Sequence, residues 1–172
     1  WSSDLCSSDL AAVGGNALRV NSTGSNNIAV GDQAFYNNTT ASNNTAIRHQ
    51  AAFSNTTGTR TVAIGKNSLY SNTTGTNNTG IGSYTLTSIT TGGYNTAVGD
   101  QSGYYVTGDG NTGLGFYALA GASSGTISGT YNVAIGAYAF ASFTTASNNT
   151  AVGTYALYTN STGNRSEEHT SE

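Results

Sequence analysis

The chain has 172 residues, of which only 8% are charged, with no proline, no methionine and a formal net charge of −3. Such a composition, crowded with glycine, asparagine and threonine, does not fit an ordinary globular domain, and disordered chains are usually rich in charge and proline. It also lacks the basic footprint of a nucleic-acid binder and any run near the roughly 18 apolar residues of a membrane span, so neither nucleic acid nor direct membrane insertion is expected.

The N-terminal stretch is set aside first. Residues 2–5 and 7–10 both read SSDL, which can be written TCTTCCGATCT plus one base, and residues 165–172 read RSEEHTSE, which can be written AGATCGGAAGAGCACACGTCTGAA. The opening of the second string is the reverse complement of the first, and both resemble a common sequencing adapter translated in frame. We therefore read 1–10 and 165–172 as adapter-derived, non-native segments, expected to be disordered, and 11–164 as the repeat domain of an internal piece of a longer chain. Within 11–164 the bases are Arg19, Arg48, Arg60 and Lys66 and the acids Asp32, Asp100 and Asp109, four minus three, a net charge of +1. The acidic balance thus comes from the ends, as does the single cysteine, Cys6. A cysteine-free remainder fits an exported or virion protein.

From Val13 onward one unit recurs. A β-branched residue or leucine precedes a glycine at Val13, Val30, Ile47, Ile64, Ile81, Val98, Leu114, Ile135 and Val152, with spacings of 17, 17, 17, 17, 17, 16, 21 and 17. Arg48 replaces that glycine in one copy. A period this regular marks a repeat architecture. Two residues before each anchor stands a β-branched side chain in most copies (Ile28, Thr45, Val62, Thr79, Thr96, Thr112, Val133, Thr150), with Ala or Gly always between. That alternation predicts a short strand with one face kept small. Five residues after the anchor a second apolar column (Leu18, Phe35, Leu69, Leu86, Leu119, Phe140, Leu157) predicts a second strand, and the intervening glycine and the N-T-T-G run predict the corners. Helix is disfavoured throughout.

The expected fold is therefore all-β: a parallel β-solenoid, or β-roll, of about nine 17-residue coils with two short strands per coil. About three apolar side chains per coil are expected to point inward. Asn38, Asn55 and Asn72 are expected to form a ladder between coils, as are the neighbouring threonines. One coil cannot bury enough to stand alone, so stacking is essential and burial against neighbouring chains would help. The small residue before each anchor, with Ala34, Ala51, Ala118, Ala139 and Ala156 four after it, suits either the approach of another chain or tight packing inside one solenoid.

The units NIAVG (27–31), TVAIG (61–65), YNTAVG (94–99) and NVAIG (132–136) resemble the head repeats of trimeric autotransporter adhesins (the YadA-like head), and the longer form NTAIG…ALYSNTTG is similar to repeats of phage-type tail fibres. The resemblance covers about residues 12–164. It implies a left-handed β-roll assembled as a homotrimer, an extracellular place on a cell surface or virion fibre, and a structural or adhesive role toward a host-surface glycan or protein. It carries no catalytic residue.

An enzyme is not expected, and neither is a cofactor or a metal. His49 is the only histidine of the repeat region. Asp32 and Asp100 occupy equivalent positions four coils apart, about 19 Å by ladder spacing, whereas paired-carboxylate glycosidase chemistry needs roughly 5–9.5 Å. Three scattered aspartates do not make a calcium-binding roll. The recognition candidates are tyrosines: Tyr36, Tyr70, Tyr104 and Tyr158 recur six after the anchor, and Tyr84, Tyr117, Tyr138 and Tyr155 three after it. Such columns could stack on sugars, grip a protein, or simply pack between coils or chains. Two further readings stand beside the fibre. An ice-binding solenoid would use the threonine ladders, though Thr39-Thr40, Thr56-Thr57 and Thr73-Thr74 are adjacent and so point to opposite faces of a strand. A polysaccharide-cleaving β-helix would need longer coils and a charged cleft.

Overall fold

The computed structural model describes residues 9–122, 127–160 and 162–169. They form ten three-residue strands: β1 (Ala11–Val13), β2 (Ile28–Val30), β3 (Thr45–Ile47), β4 (Val62–Ile64), β5 (Thr79–Ile81), β6 (Thr96–Val98), β7 (Thr112–Leu114), β8 (Val133–Ile135), β9 (Thr150–Val152) and β10 (Glu167–His169). All ten lie in one sheet in sequence order. Each pairs in parallel with the next, anchor against anchor, as Val13 with Val30 and Ile135 with Val152. This is a parallel β-solenoid of about nine turns, as the period predicts. The irregular steps leave the register intact, Val98 pairing with Leu114 and Leu114 with Ile135. The longer step is absorbed between Ala120 and Ile127, outside the strands, where Ile127 rejoins the stack by bridging Val106.

The sheet buries its small-residue face, the second of the two arrangements the sequence leaves open. Ala29, Ala46, Ala63, Ala97, Ala134 and Ala151, at the strand centres, are fully buried, and so are Ala34, Ala51, Ala118, Ala139 and Ala156 opposite them. The small residues therefore pack within one solenoid and leave no room for another chain at that place. Where the strand centre is glycine, the opposing residue grows. A Cβ on Gly80 would come within 2.6 Å of Ser68 Oγ and 2.7 Å of Thr85 Oγ1, and Ser68 donates to Gly80 O at 3.0 Å. The β-branched columns point outward instead: Ile28, Val30, Ile81, Leu114 and Ile135 keep 37–47% of their surface exposed. Only one of the three apolar columns expected inside, the one five residues after the anchor, is interior.

That column is buried without forming a second strand. Phe35, Leu69, Leu86, Leu119 and Phe140 are at most 1% exposed, yet their φ angles lie between 47° and 56°. The residue two before each is left-handed as well, as at Tyr84 and Tyr117, both at 56°. Left-handed residues in alternation curl the chain into the solenoid while its amides still bond to the next coil, as Phe35 N to Ala51 O at 3.0 Å and Leu69 N to Thr85 O at 2.9 Å. Two such residues per coil cost about 1–2 kcal/mol each, which burying the Leu or Phe, at about 1.5–3 kcal/mol, offsets in large part. Propensity alone favours strand at these positions; coil closure overrides it.

Two asparagine columns fill the rest of the interior. The expected one is present: Asn38 Nδ2 donates to Asn21 Oδ1 (2.6 Å), Asn55 to Asn38 (3.2 Å) and Asn72 to Asn55 (2.9 Å). Each also closes its own turn, as Asn55 does on Gly58 O at 3.0 Å. The threonine ladder accompanies it, Thr39, Thr56 and Thr73 each donating a hydroxyl to the next coil's carbonyl. The column then turns apolar, through Ile89, Val106, Ile127 and Phe143, all fully buried. At that switch Asn72 Oδ1 is buried without a partner.

The second column lies just before the strands and was not anticipated. Asn27, Asn44, Asn78, Asn95, Asn111, Asn132 and Asn149 are all buried. Each side-chain Oδ1 accepts the backbone N–H of the equivalent residue one coil on, from Asn44 on Asn27 at 3.0 Å to Asn149 on Asn132 at 3.0 Å. Each amide Nδ2 donates to a carbonyl of the turn, as Asn78 to Gly92 O at 2.7 Å. Thr61 takes the place of asparagine in one coil and donates both N–H and Oγ1 to Asn44 Oδ1.

The terminal segments differ from expectation on one side. Within 165–172, which we expect to be disordered, Glu167–His169 extends the sheet against β9. Glu168 stands at the small-residue position, and its Oε2 accepts Leu157 N at 2.6 Å. An open parallel edge offers backbone partners to whatever chain follows it, so this pairing does not depend on the repeat sequence. Residues 1–8 and 170–172 lie outside the described residues.

Two variants test this packing. Asn95→Ala removes the acceptor of Asn111 N and the donor to Gly93 O; leaving such groups buried and unpaired costs about 1–3 kcal/mol each, so urea titration should show a loss of at least about 2 kcal/mol. The glycine after each anchor has φ between 120° and 141°, and a Cβ there would come within 2.2–2.8 Å of the next coil's backbone. Arg48 holds this position with φ 99°. Arg48→Gly should therefore stabilise the fold by about 1 kcal/mol, read as a raised melting temperature.

Candidate binding surface

Because coils repeat in register, side chains at one repeat position form columns on the outside, and a column's chemistry is uniform until the sequence changes. Tyr36 and Tyr70, two of the four recognition candidates, flank Phe53 in one such column. The rings stack at 5.2 Å and 20° (Tyr36 with Phe53) and at 5.3 Å and 7° (Phe53 with Tyr70). Arg19 lies 5.3 Å from the Tyr36 centroid and donates to its hydroxyl. Both faces of Phe53 are thus taken and Tyr36 is covered on both sides, which is packing between coils.

The other two candidates sit in a different setting. Tyr104 meets Tyr105 edge-on, 4.6 Å between centroids at 66°, and approaches Tyr84 at 6.3 Å and 36°. Tyr84, Gln101, Tyr104, Tyr105 and Tyr117 line a cleft of about 350 Å³. Beside it, Tyr105 and Tyr117 also line a smaller hollow of about 200 Å³ whose far side includes Ser142 and Tyr158. The structure therefore brings Tyr104 and Tyr158 to neighbouring hollows and leaves Tyr36 and Tyr70 elsewhere.

Burial, and then the neighbouring Tyr105, Tyr104, Tyr138 and Tyr158, push the Tyr117 phenol above its ordinary value of 10.0. The Tyr117 phenol is therefore neutral at physiological pH, and no formally charged side chain lines the cleft. Its nearest formal charges lie at the rim: Lys66 Nζ sits 5.5 Å from the Tyr84 centroid, and Asp100 Oδ1 accepts from Gln101 Nε2 at 3.0 Å.

Gln101 and Tyr105 were not singled out from the sequence, although a signal existed. Tyr84, Gln101, Tyr117, Tyr138 and Tyr155 share the position three after the anchor, so Gln101 is a break in a tyrosine column. Beyond the break the column closes up again: Tyr138 and Tyr155 stack in parallel, 5.0 Å apart at 1°.

Elsewhere the chemistry is sparse. His49 Nε2 lies 3.6 Å from Asp32 Oδ2, both side chains 48% exposed. Among the described residues no three His, Cys, Asp or Glu side chains gather where a metal could bind, and no helix is long and apolar enough to cross a membrane. Comparison with protein families, curated proteins and solved structures finds no match to this chain.

Phe53→Ala opens the Tyr36 and Tyr70 faces and removes two stacked contacts, each worth about 0.5–1.5 kcal/mol beyond area burial. A destabilisation of about 1–3 kcal/mol in thermal unfolding, together with altered tyrosine near-UV dichroism, is the expected outcome.

Proposed function

We propose that this chain is a non-catalytic structural and adhesive segment of an extracellular surface fibre that assembles as a homotrimer. The observation that carries the reading is the outward sheet face. From β2 to β9 two parallel columns of Ile, Val, Leu and Thr carry no charged residue, and Ile81, Leu114 and Ile135 keep 39–47% of their surface exposed. Soluble monomers rarely leave so long an apolar strip uncovered. Three identical strips meeting around a common axis would cover one another, and rigid columns of outward side chains would remain on the other sides for contact. The resemblance of the repeat units to adhesin heads and tail-fibre repeats supplies the left-handed trimer as the specific arrangement. An extracellular fibre also fits the near absence of charge.

One observation favours a second reading. Thr45, Thr79, Thr96, Thr112 and Thr150 stand in one column of that outward face, and a regular threonine column is what an ice-binding surface uses. Thr39, Thr56 and Thr73 are excluded from that role, since their hydroxyls are committed to the next coil.

Light scattering on the intact chain separates the two readings. The fibre reading predicts a particle of three times the 17.4 kDa chain mass, dissociated by Ile81→Lys, which a free monomer would tolerate at its surface. A stable monomer with thermal hysteresis activity would favour ice binding.

A further inference from the structure

The break in the tyrosine column makes a slot. By coil order Lys66 stands on one side of Tyr84 and Tyr138 on the far side of Tyr117, at 5.5 Å and 5.6 Å between centres. Tyr84 and Tyr117 therefore stand on the coils either side of the one that carries Gln101 instead of a ring, and both line the cleft. Two coil steps separate them, about 9.6 Å by ladder spacing. Tyr104, Tyr105 and Gln101 complete the lining, and the Gln101 amide donates to Asp100 at the exposed rim.

From this geometry we infer that the cleft between Tyr84 and Tyr117 binds one ring of a neutral glycan, sandwiched between the two phenols where a tyrosine is missing from the column. The proposal names a ligand class for the adhesive part of the fibre reading and rests on that reading only for its biological meaning; the slot itself is a property of one chain.

Three features select a saturated sugar ring. A flat aromatic ring touching both walls would need only about 7–8 Å, two contacts of 3.5–4.0 Å, and would sit loosely, whereas a puckered pyranose is thicker and fills the gap. The faces of the phenols are electron-rich and attract the polarised C–H bonds of a sugar's apolar face. The equatorial hydroxyls would then meet phenol O–H groups and the Gln101 amide, which both donate and accept. With no formal charge in the lining, an anionic ligand gains nothing there. A volume of about 350 Å³ lies at the lower end of the roughly 300–1,000 Å³ of ligand sites, which suits one ring with its chain continuing toward the second hollow at Tyr105 and Tyr158.

The test uses the intact chain with neutral hexasaccharides of glucan, mannan, galactan and xylan type, read by saturation-transfer NMR and calorimetry, with choline chloride as the competing cationic probe. Saturable binding of at least one hexasaccharide is expected, weakened tenfold or more by Tyr117→Ala. The decisive variant is Gln101→Tyr, which completes the column. Tyr84, Tyr117, Tyr138 and Tyr155 hold their position with φ between 56° and 60°, so the backbone at Gln101 accepts the ring, and this variant should fold with unchanged or raised melting temperature while losing binding. No binding by any hexasaccharide, binding unchanged in Gln101→Tyr, or choline as the only ligand would each overturn the proposal. The mass of the same sample distinguishes its failure from that of the fibre: a trimer without binding leaves the fibre standing, and a monomer that binds leaves the slot standing.

Discussion

The buried amide of asparagine is the contact on which this solenoid depends. Three-residue strands give each pair of coils few ladder bonds, and backbone bonds along the turns add to them, as Phe35 N to Ala51 O and Gln50 N to Asp32 O. Just before seven of the ten strands, an asparagine side chain adds bonds that only aligned coils can make: its oxygen takes the N–H of the equivalent residue in the next coil, and its nitrogen ties down a turn carbonyl. A fully buried amide is costly unless satisfied, and it is satisfied only when successive coils are aligned position for position. The column thus acts as a register lock. Thr61, which stands at this position before β4, keeps the bond to the preceding coil through both N–H and hydroxyl.

Once register is fixed, everything else follows by column. Small residues at the strand centres and opposite them let the walls close to near contact, and glycines at 80 and 113 are answered by hydroxyls that reach across. The left-handed Leu and Phe column fills the remaining space. What faces out is then a set of parallel stripes: β-branched residues along the sheet, aromatic and amide side chains along the turns. A stripe of identical residues satisfies itself, ring on ring and amide on amide, as Tyr138 on Tyr155 and Gln50 on Gln33. Free binding capacity arises where a stripe is broken, and Gln101 between Tyr84 and Tyr117 is such a break.

The sequence made the period, the strands, the small-residue column and the Asn38–Asn55–Asn72 ladder legible because each is a repeated residue type at a repeated position. It left the direction of the strands' faces open. Alternation tells that two faces differ, and a β-branched stripe on one of them reads as core; only the volume available inside so narrow a coil decides that alanine is the inner face. The second strand failed for a related reason, since an apolar column marks burial and not backbone conformation, and φ near +50° at Leu69 or Phe140 has no signature in the residue type. The asparagines before the strands were visible as letters but read as part of the unit's consensus. The cleft was hidden for the opposite reason, because attention went to the tyrosines that recur and the site is made where one does not.

Hydrogen exchange of individual backbone amides tests the register lock most directly. The N–H groups of Asn95, Asn111, Asn132 and Asn149 bond to side chains and not to any strand. If those amides hold the coils in register, they will exchange only through global unfolding, with the same protection as Ile81 and Val98 in the strands. Exchange at the rate of the exposed turn amides, with the strand amides still protected, would show that the ladder bonds hold the coils without the asparagines and would contradict the account.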